Sequence, residues 1–291
     1  MVKNAILAVE QGKLLDALKE LWRGLLEKRI VDALLVPQEL PWGDNVVQTL
    51  VASAENLVAA NPLAPVLPVN SARIVSQMTK VAPSPRRLGV VLRPCESRAL
   101  VELVKLKQAS LHNLVLIGID CFGTYPLERY RQLCRESSSP TEDFLKAIGE
   151  GREDSSLRQA CQICEYPSPM NADLAIGLIG VDHDKGILLQ ASTAEGERIL
   201  GELGLKDGPQ AEVAKREQAI SHLVAQRTKK RDELLEQTQR EVSGLENLLR
   251  LLAPCINCHN CRDVCPLCYC KECFFDSPTF EVEAERYLGW A

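Results

Sequence analysis

Seven of the chain's twelve cysteines lie between Cys255 and Cys273, and this run constrains the fold more than any other feature. It opens Cys255-Ile-Asn-Cys258-His-Asn-Cys261-Arg-Asp-Val-Cys265-Pro266, the C-x2-C-x2-C-x3-C-P spacing of a bacterial ferredoxin loop around a 4Fe-4S cubane. Two-residue gaps let one loop wrap three corners of a cubane while its backbone N–H groups turn toward the sulfides. A structural zinc knuckle is the alternative, because C-x2-C pairs also suit tetrahedral zinc. Three thiols at consecutive two-residue gaps followed by Cys-Pro suit a cubane better. Disulfides fit poorly, since most of these gaps are too short for their geometry. Cys268, Cys270 and Cys273 follow at once. In two-cluster ferredoxins the cysteine before proline serves the other cluster. Cys265 would then join these three, with a distant thiol such as Cys134 completing the first cluster. In the competing reading one cluster has spare thiols beside it, and both readings stay open.

The remainder is long enough for a core of its own. At 291 residues, two unequal units are expected. Hydrophobic residues make up 46% and aromatic ones 4%, so that core is built from Leu, Val, Ile and Ala. A formal net charge of -5 provides no field attractive to phosphates, which argues against a nucleic-acid partner. The first residues lack the apolar segment and cleavage site of an export signal, and no run of about 18 apolar residues could span a bilayer. A soluble, cytoplasmic protein is expected.

The order of elements predicts an α/β fold: a mixed or parallel sheet core with flanking helices, then a long helix and a small ferredoxin-like, cysteine-rich C-terminal module. Residues 1–208 form the core, 209–254 the long amphipathic spacer and 255–291 the tail. Leucines from Leu14 to Leu26 read as a helix extending over 5–28, and Ile30 to Val36 as the strand after it, an α-to-β opening. Further strands are expected at Val46 to Val51, Leu88 to Leu92, Leu114 to Ile119, Leu174 to Ile179 and Ile187 to Leu189. Strand, helix and strand across 88–119 make a β-α-β unit with parallel strands. In the long helix, the basic segment Arg227-Thr-Lys-Lys-Arg231 reads as a solvated face.

Parallel strands end on one edge of their sheet, and ligands bind beyond that edge. Cys95 and Cys121 each follow such an end, and Cys161-Gln-Ile-Cys164 precedes the Leu174 strand, so these four thiols could meet and hold a further cluster. Cys134, inside an expected helix, reads instead as a small buried hydrophobe. His259 sits within the cluster loop and is read as solvated or facing sulfide, and His112, His183 and His222 as ordinary residues. No Gly-x-Gly-x-x-Gly follows a strand, and neither a Walker loop nor His-Glu-x-x-His occurs.

Arg93-Pro-Cys-Glu-Ser-Arg-Ala-Leu100, Leu116-Ile-Gly-Ile-Asp-Cys-Phe-Gly-Thr-Tyr-Pro126, Cys161-Gln-Ile-Cys164 and Ala172-Asp-Leu-Ala-Ile-Gly177 together resemble the beta subunits of coenzyme F-420 hydrogenases and formate dehydrogenases. Pro65-Val-Leu-Pro-Val-Asn-Ser-Ala-Arg73 extends the resemblance. It implies an oxidoreductase subunit holding FAD and iron-sulfur clusters, two or three cubanes here. Such a subunit passes electrons between a soluble two-electron carrier and a partner enzyme of hydrogenase, formate dehydrogenase or heterodisulfide-reductase type. By position, Asn70, Ser71, Arg73, Arg93, Pro94 and Glu96 would lie near the flavin. The cysteine-rich motif behind a long helix departs from the family. A flavin-free electron wire or assembly subunit and a zinc-stabilised scaffold are the competing readings.

Overall fold

The computed structural model describes residues 3–152, 154–256 and 258–270. Its elements run β1 (Lys3–Ala8), α1 (Leu14–Glu27), β2 (Ala33–Glu39), β3 (Val46–Val51), α2 (Ser71–Thr79), β4 (Leu88–Leu92), α3 (Pro94–Lys105) and β5 (Leu114–Ile119). There follow α4 (Leu127–Glu136), α5 (Pro140–Gly149), the single turn α6 (Gln159–Gln162), β6 (Leu174–Gly177), β7 (Gly186–Ala191), α7 (Ala194–Leu203) and β8 (Lys206–Asp207). The C-terminal part holds α8 (Gln210–Glu241), α9 (Leu245–Leu252) and α10 (Asn260–Val264).

The strands form one sheet of eight in the order β3-β2-β4-β5-β6-β7-β1-β8. Strands β2, β4, β5 and β6 are parallel neighbours, while β3 on one side and β7, β1 and β8 on the other run antiparallel to the strands beside them. This is the expected mixed α/β sheet, and β4-α3-β5 is the expected β-α-β unit. The opening is different. Lys3–Ala8 is a strand rather than the start of a helix, because it pairs with β7 and β8, partners about two hundred residues away that no local periodicity reveals.

The central strands are covered on both faces, which explains their continuous apolar runs. Leu34, Val36, Val91, Val115 and Ile117 pack with Leu18, Trp22 and Leu25 of α1 and Ile199 and Leu200 of α7. The alternate residues Ala33, Leu35, Val90 and Leu92 pack against Ala72 and Val75 of α2 and Ala99, Leu100 and Leu103 of α3. The two-residue alternation of a strand thus feeds two helical layers. A third cluster, with Val66, Tyr125, Tyr130 and Phe144 at its heart, includes a half-buried Cys134. Cys134 therefore packs as the small hydrophobe expected of it.

The long helix does not run free of the core. Arg216 and Arg227 of α8 are 2% and 8% exposed, and Arg231 pairs with Glu165. The solvated basic face is therefore corrected in part: Arg227, Thr228 and Arg231 turn inward, while Lys229 stays exposed. Gly180 permits the close approach. With φ at +74° it adopts a conformation unfavourable to other residues, and a Cβ there would lie 3.0 Å from the Arg216 Cα and 2.7 Å from the Ala219 Cβ.

Candidate iron-sulfur site at the sheet edge

Three separate segments bring four thiols to the C-terminal ends of β4 and β5. Cys95 is the second residue of α3, behind Pro94 at the first helical position, where a fixed φ and a missing N–H cost nothing. Cys121 stands just beyond the end of β5, its N–H donating to the Pro167 carbonyl at 2.8 Å. Cys161 lies in the α6 turn, and the Cys164 N–H donates to the Cys161 carbonyl at 3.3 Å. Gln162 locks this turn through its side-chain amide, which donates to the Leu157 carbonyl at 2.7 Å and the Ser155 carbonyl at 3.0 Å.

The thiols share one electrostatic neighbourhood. Desolvation, then the charges of Glu96, Cys121 and Cys164, pushes the Cys95 thiol up to about 12, against the lowering influence of Arg93. Cys95 nonetheless keeps exposed surface, as a residue on the wall of a recess does. Burial likewise pushes the Cys121 thiol up, opposed by the Arg93 guanidinium and the Gly123 N–H, while Cys161 adds to the rise. Thr124 Oγ1 lies 3.5 Å from the Cys161 sulfur. Gly123, at φ +124°, lets the two loops meet, since a Cβ there would lie 3.3 Å from the Cys161 Cβ. Among the described residues, no three Cys, His, Asp or Glu side chains converge around a point suited to one metal ion. A cubane spreads its ligating sulfurs more widely than a single ion does. Four thiols from separate loops, with a backbone N–H and buried guanidinium groups nearby, are a donor set that fits such a cluster.

The neighbouring loops are held from beneath. Asp120 accepts from the N–H groups of Leu178 and Ile179, each at 2.8 Å, and from Arg216 Nη2 at 2.8 Å. Arg216 also donates to Ser168 Oγ at 2.7 Å and Gln190 Oε1 at 3.0 Å. Arg227 donates to the carbonyls of Phe122 at 2.8 Å and Cys164 at 3.2 Å. A cavity of about 400 Å³ borders this arrangement, lined among others by Phe122, Leu157, Gln162, His222 and Arg227.

Sequence reasoning missed Asp120, Arg216 and Arg227. A signal existed: Asp120 directly precedes Cys121, and positions 216 and 227 lie three helical turns apart on one face.

The residues expected near a flavin also meet, at the N-termini of α2 and α3. The Asn70 side chain caps α2 by accepting from the Ala72 N–H at 3.0 Å. Glu96, 1% exposed, accepts from the Ser71 N–H at 2.7 Å, the Ser71 hydroxyl and the Arg93 N–H at 2.9 Å. Ser71, Arg93 and Glu96 thus form a clamp joining two helix starts. Arg73 reaches across to the Asp263 carbonyl of α10, linking the core to the cysteine-rich tail.

In that tail Cys255, Cys258, Cys261 and Cys270 are exposed and Cys265 and Cys268 half-buried. His259 takes φ +57° ahead of α10, turning the chain between Cys258 and Cys261. Cys273 lies outside the described residues.

The family model for the C-terminal part of the coenzyme F420 hydrogenase/dehydrogenase beta subunit matches residues 85–247, more than half of the chain and the stretch that carries all four sheet-edge thiols. The chain belongs to this family. It is accordingly an oxidoreductase subunit of the hydrogenase/dehydrogenase beta type. The F420-dependent formate dehydrogenase 1 subunit beta of Methanococcus maripaludis is 27% identical over 91% of this chain and 75% of its own length. The F420-dependent formate dehydrogenase subunit beta of Methanocaldococcus jannaschii is also 27% identical, over 92% of this chain and 76% of its own. A chain of the F420-reducing NiFe hydrogenase complex from Methanosarcina barkeri shares the fold, with a TM-score of 0.58 at 14% identity, covering 84% of this chain and 94% of that one. Among the described residues, no helix is long and apolar enough to cross a membrane.

Proposed function

We propose that this beta-type subunit moves electrons between FAD, which exchanges two at a time with a soluble carrier, and 4Fe-4S clusters that pass them singly to a partner oxidoreductase subunit. The observation that carries the reading is the convergence of Cys95, Cys121, Cys161 and Cys164 from three segments onto one end of the parallel strands. When bound, FAD supplies hydride or two-electron exchange and a cubane supplies one-electron exchange.

The chain's own part is to bind, orient and exclude water. The four sheet-edge thiols would ligate one cluster, with Thr124 and the Gly123 N–H near its sulfurs. Cys255, Cys258, Cys261 and Cys265 would hold a second; were Cys265 to join Cys268, Cys270 and Cys273 instead, Cys255, Cys258 and Cys261 would be left one thiol short. Asn70, Ser71, Arg73, Arg93, Pro94 and Glu96 would border the flavin, whose phosphates suit the paired N-termini of α2 and α3. The Arg73 bond to Asp263 supports this order, because it sets the tail beside the same helix start.

The relatives' names make the deazaflavin F-420 the favoured carrier. They also favour a formate dehydrogenase or hydrogenase as the partner. Helix α9 offers that partner an apolar surface: Leu245, Leu249, Leu251 and Leu252 are all more than half exposed.

The test compares anaerobically prepared Cys121→Ser and Cys164→Ser with Cys134→Ser. The first two are expected to lose about four irons and four sulfides per chain while keeping FAD, by the four-thiol rule for cubanes. Cys134→Ser should lose neither. Equal iron in all three would contradict the assignment.

A further inference from the structure

Arg93 is a buried cation with a bonding position left open. Its residue is 7% exposed. Nη2 donates to the carbonyls of Ala64 and, at 3.5 Å, Pro62, whereas Nη1 is buried without a hydrogen-bond partner. The nearest carboxylate in sequence, Glu96, is occupied by the Arg93 backbone N–H and by Ser71. Leaving a guanidinium buried and uncompensated is strongly unfavourable, so its retention points to an anion that completes it.

Of the two anions proposed nearby, the flavin phosphates and the cluster, the thiols that feel the Arg93 charge point to the cluster. Arg93 caps α3 two residues before Cys95, and its charge is felt at both Cys95 and Cys121. Arg227, whose charge also reaches Cys121, differs: both of its terminal nitrogens are committed to carbonyls of the cysteine loops. We infer that Arg93 is the counter-cation of the cluster held by Cys95, Cys121, Cys161 and Cys164, with its open Nη1–H donated to sulfur there, and that it sets the reduction potential of that cluster. The inference rests on the four-thiol reading proposed above. Four thiolates around a doubly positive cubane core would make a dianion, and one-electron reduction would make it a trianion. No bond breaks and no proton moves. A fixed cation stabilises the trianion more than the dianion, so it raises the potential.

Redox titration of the full chain followed by electron paramagnetic resonance tests this, alongside iron and sulfide analysis of each variant. The sheet-edge signal is identified as the one absent from Cys121→Ser, and the tail signal serves as an internal reference. Arg93→Gln is expected to keep its iron and to make the sheet-edge cluster about tenfold harder to reduce, a shift of about 59 mV for a one-electron couple. Arg93→Lys, which keeps the charge, should recover most of the shift. A fully loaded Arg93→Gln protein with the wild-type potential overturns the inference and leaves the four-thiol reading standing. Should Arg93→Gln fail to fold, Arg93→Lys decides: a potential close to wild type supports the counter-charge, and a full tenfold fall overturns it. If Cys121→Ser removes no iron, the four-thiol reading fails and the inference falls with it.

Discussion

Arg216 and Asp120 form an ion pair sealed from solvent, with side chains 2% and 0% exposed. The pair joins helix α8 to the residue immediately before Cys121, and Asp120 is completed by the N–H groups of Leu178 and Ile179. The helix that leads to the cysteine-rich tail is thereby part of the platform beneath the sheet-edge thiols.

Removing one member of this pair leaves the other buried and uncompensated. Arg216→Ala is expected to lower unfolding free energy by about 3–5 kcal/mol, read from denaturant melts. Replacing both residues by apolar ones of similar volume should recover much of that loss. A single substitution costing less than about 1 kcal/mol would place the pair among weak surface bridges.

Arg227 ties the two cysteine loops together through the Phe122 and Cys164 carbonyls. Arg227→Met keeps the apolar stem and removes both donors. These bonds are part-buried, so losing them costs up to about 1–3 kcal/mol each. Loss of sheet-edge iron to a chelator should accordingly be at least several-fold faster than in wild type, with tail iron released at the wild-type rate.

Glu96 uses both carboxylate oxygens as acceptors, Oε1 for Ser71 and Oε2 for the Arg93 N–H. In Glu96→Gln one of those oxygens becomes an amide facing a donor. A loss of about 1–3 kcal/mol is expected, and Ser71→Ala, which removes only the hydroxyl donor, should cost less. If the flavin borders this clamp, FAD content falls in Glu96→Gln while iron is retained.

The exposed α9 leucines belong to none of the three core clusters formed by the described residues. The double variant Leu245→Glu, Leu249→Glu is expected to leave stability within about 0.5 kcal/mol of wild type, as exposed substitutions do. Its partner oxidoreductase subunit should no longer co-purify. Undiminished co-purification would remove α9 from the interface.

The extent to which this was legible in the sequence follows from how local each signal is. Strands β3, β4 and β5 stand at their expected bounds, because apolar runs between turn residues are local information. The meeting of Cys95 with Cys121 was legible for the same reason: parallel strands joined by one helix must end on the same edge. Strand β1 was not, since Lys3–Ala8 is fixed by pairing with β7, far away in sequence. Nor was the docking of α8. Arg216 and Arg227 are charged, charge in a helix ordinarily marks a solvated face, and only the buried Asp120 and the loop carbonyls reverse that expectation. Nor does anything in the sequence show that the Glu96 oxygens hold two helix starts together.

The most direct test of the central claim is the iron, acid-labile sulfide, zinc and flavin content of the anaerobically purified full chain. About eight irons with matching sulfide and one FAD per chain are predicted, from one four-thiol cubane at the sheet edge and one in the tail. Zinc without acid-labile sulfide would contradict it.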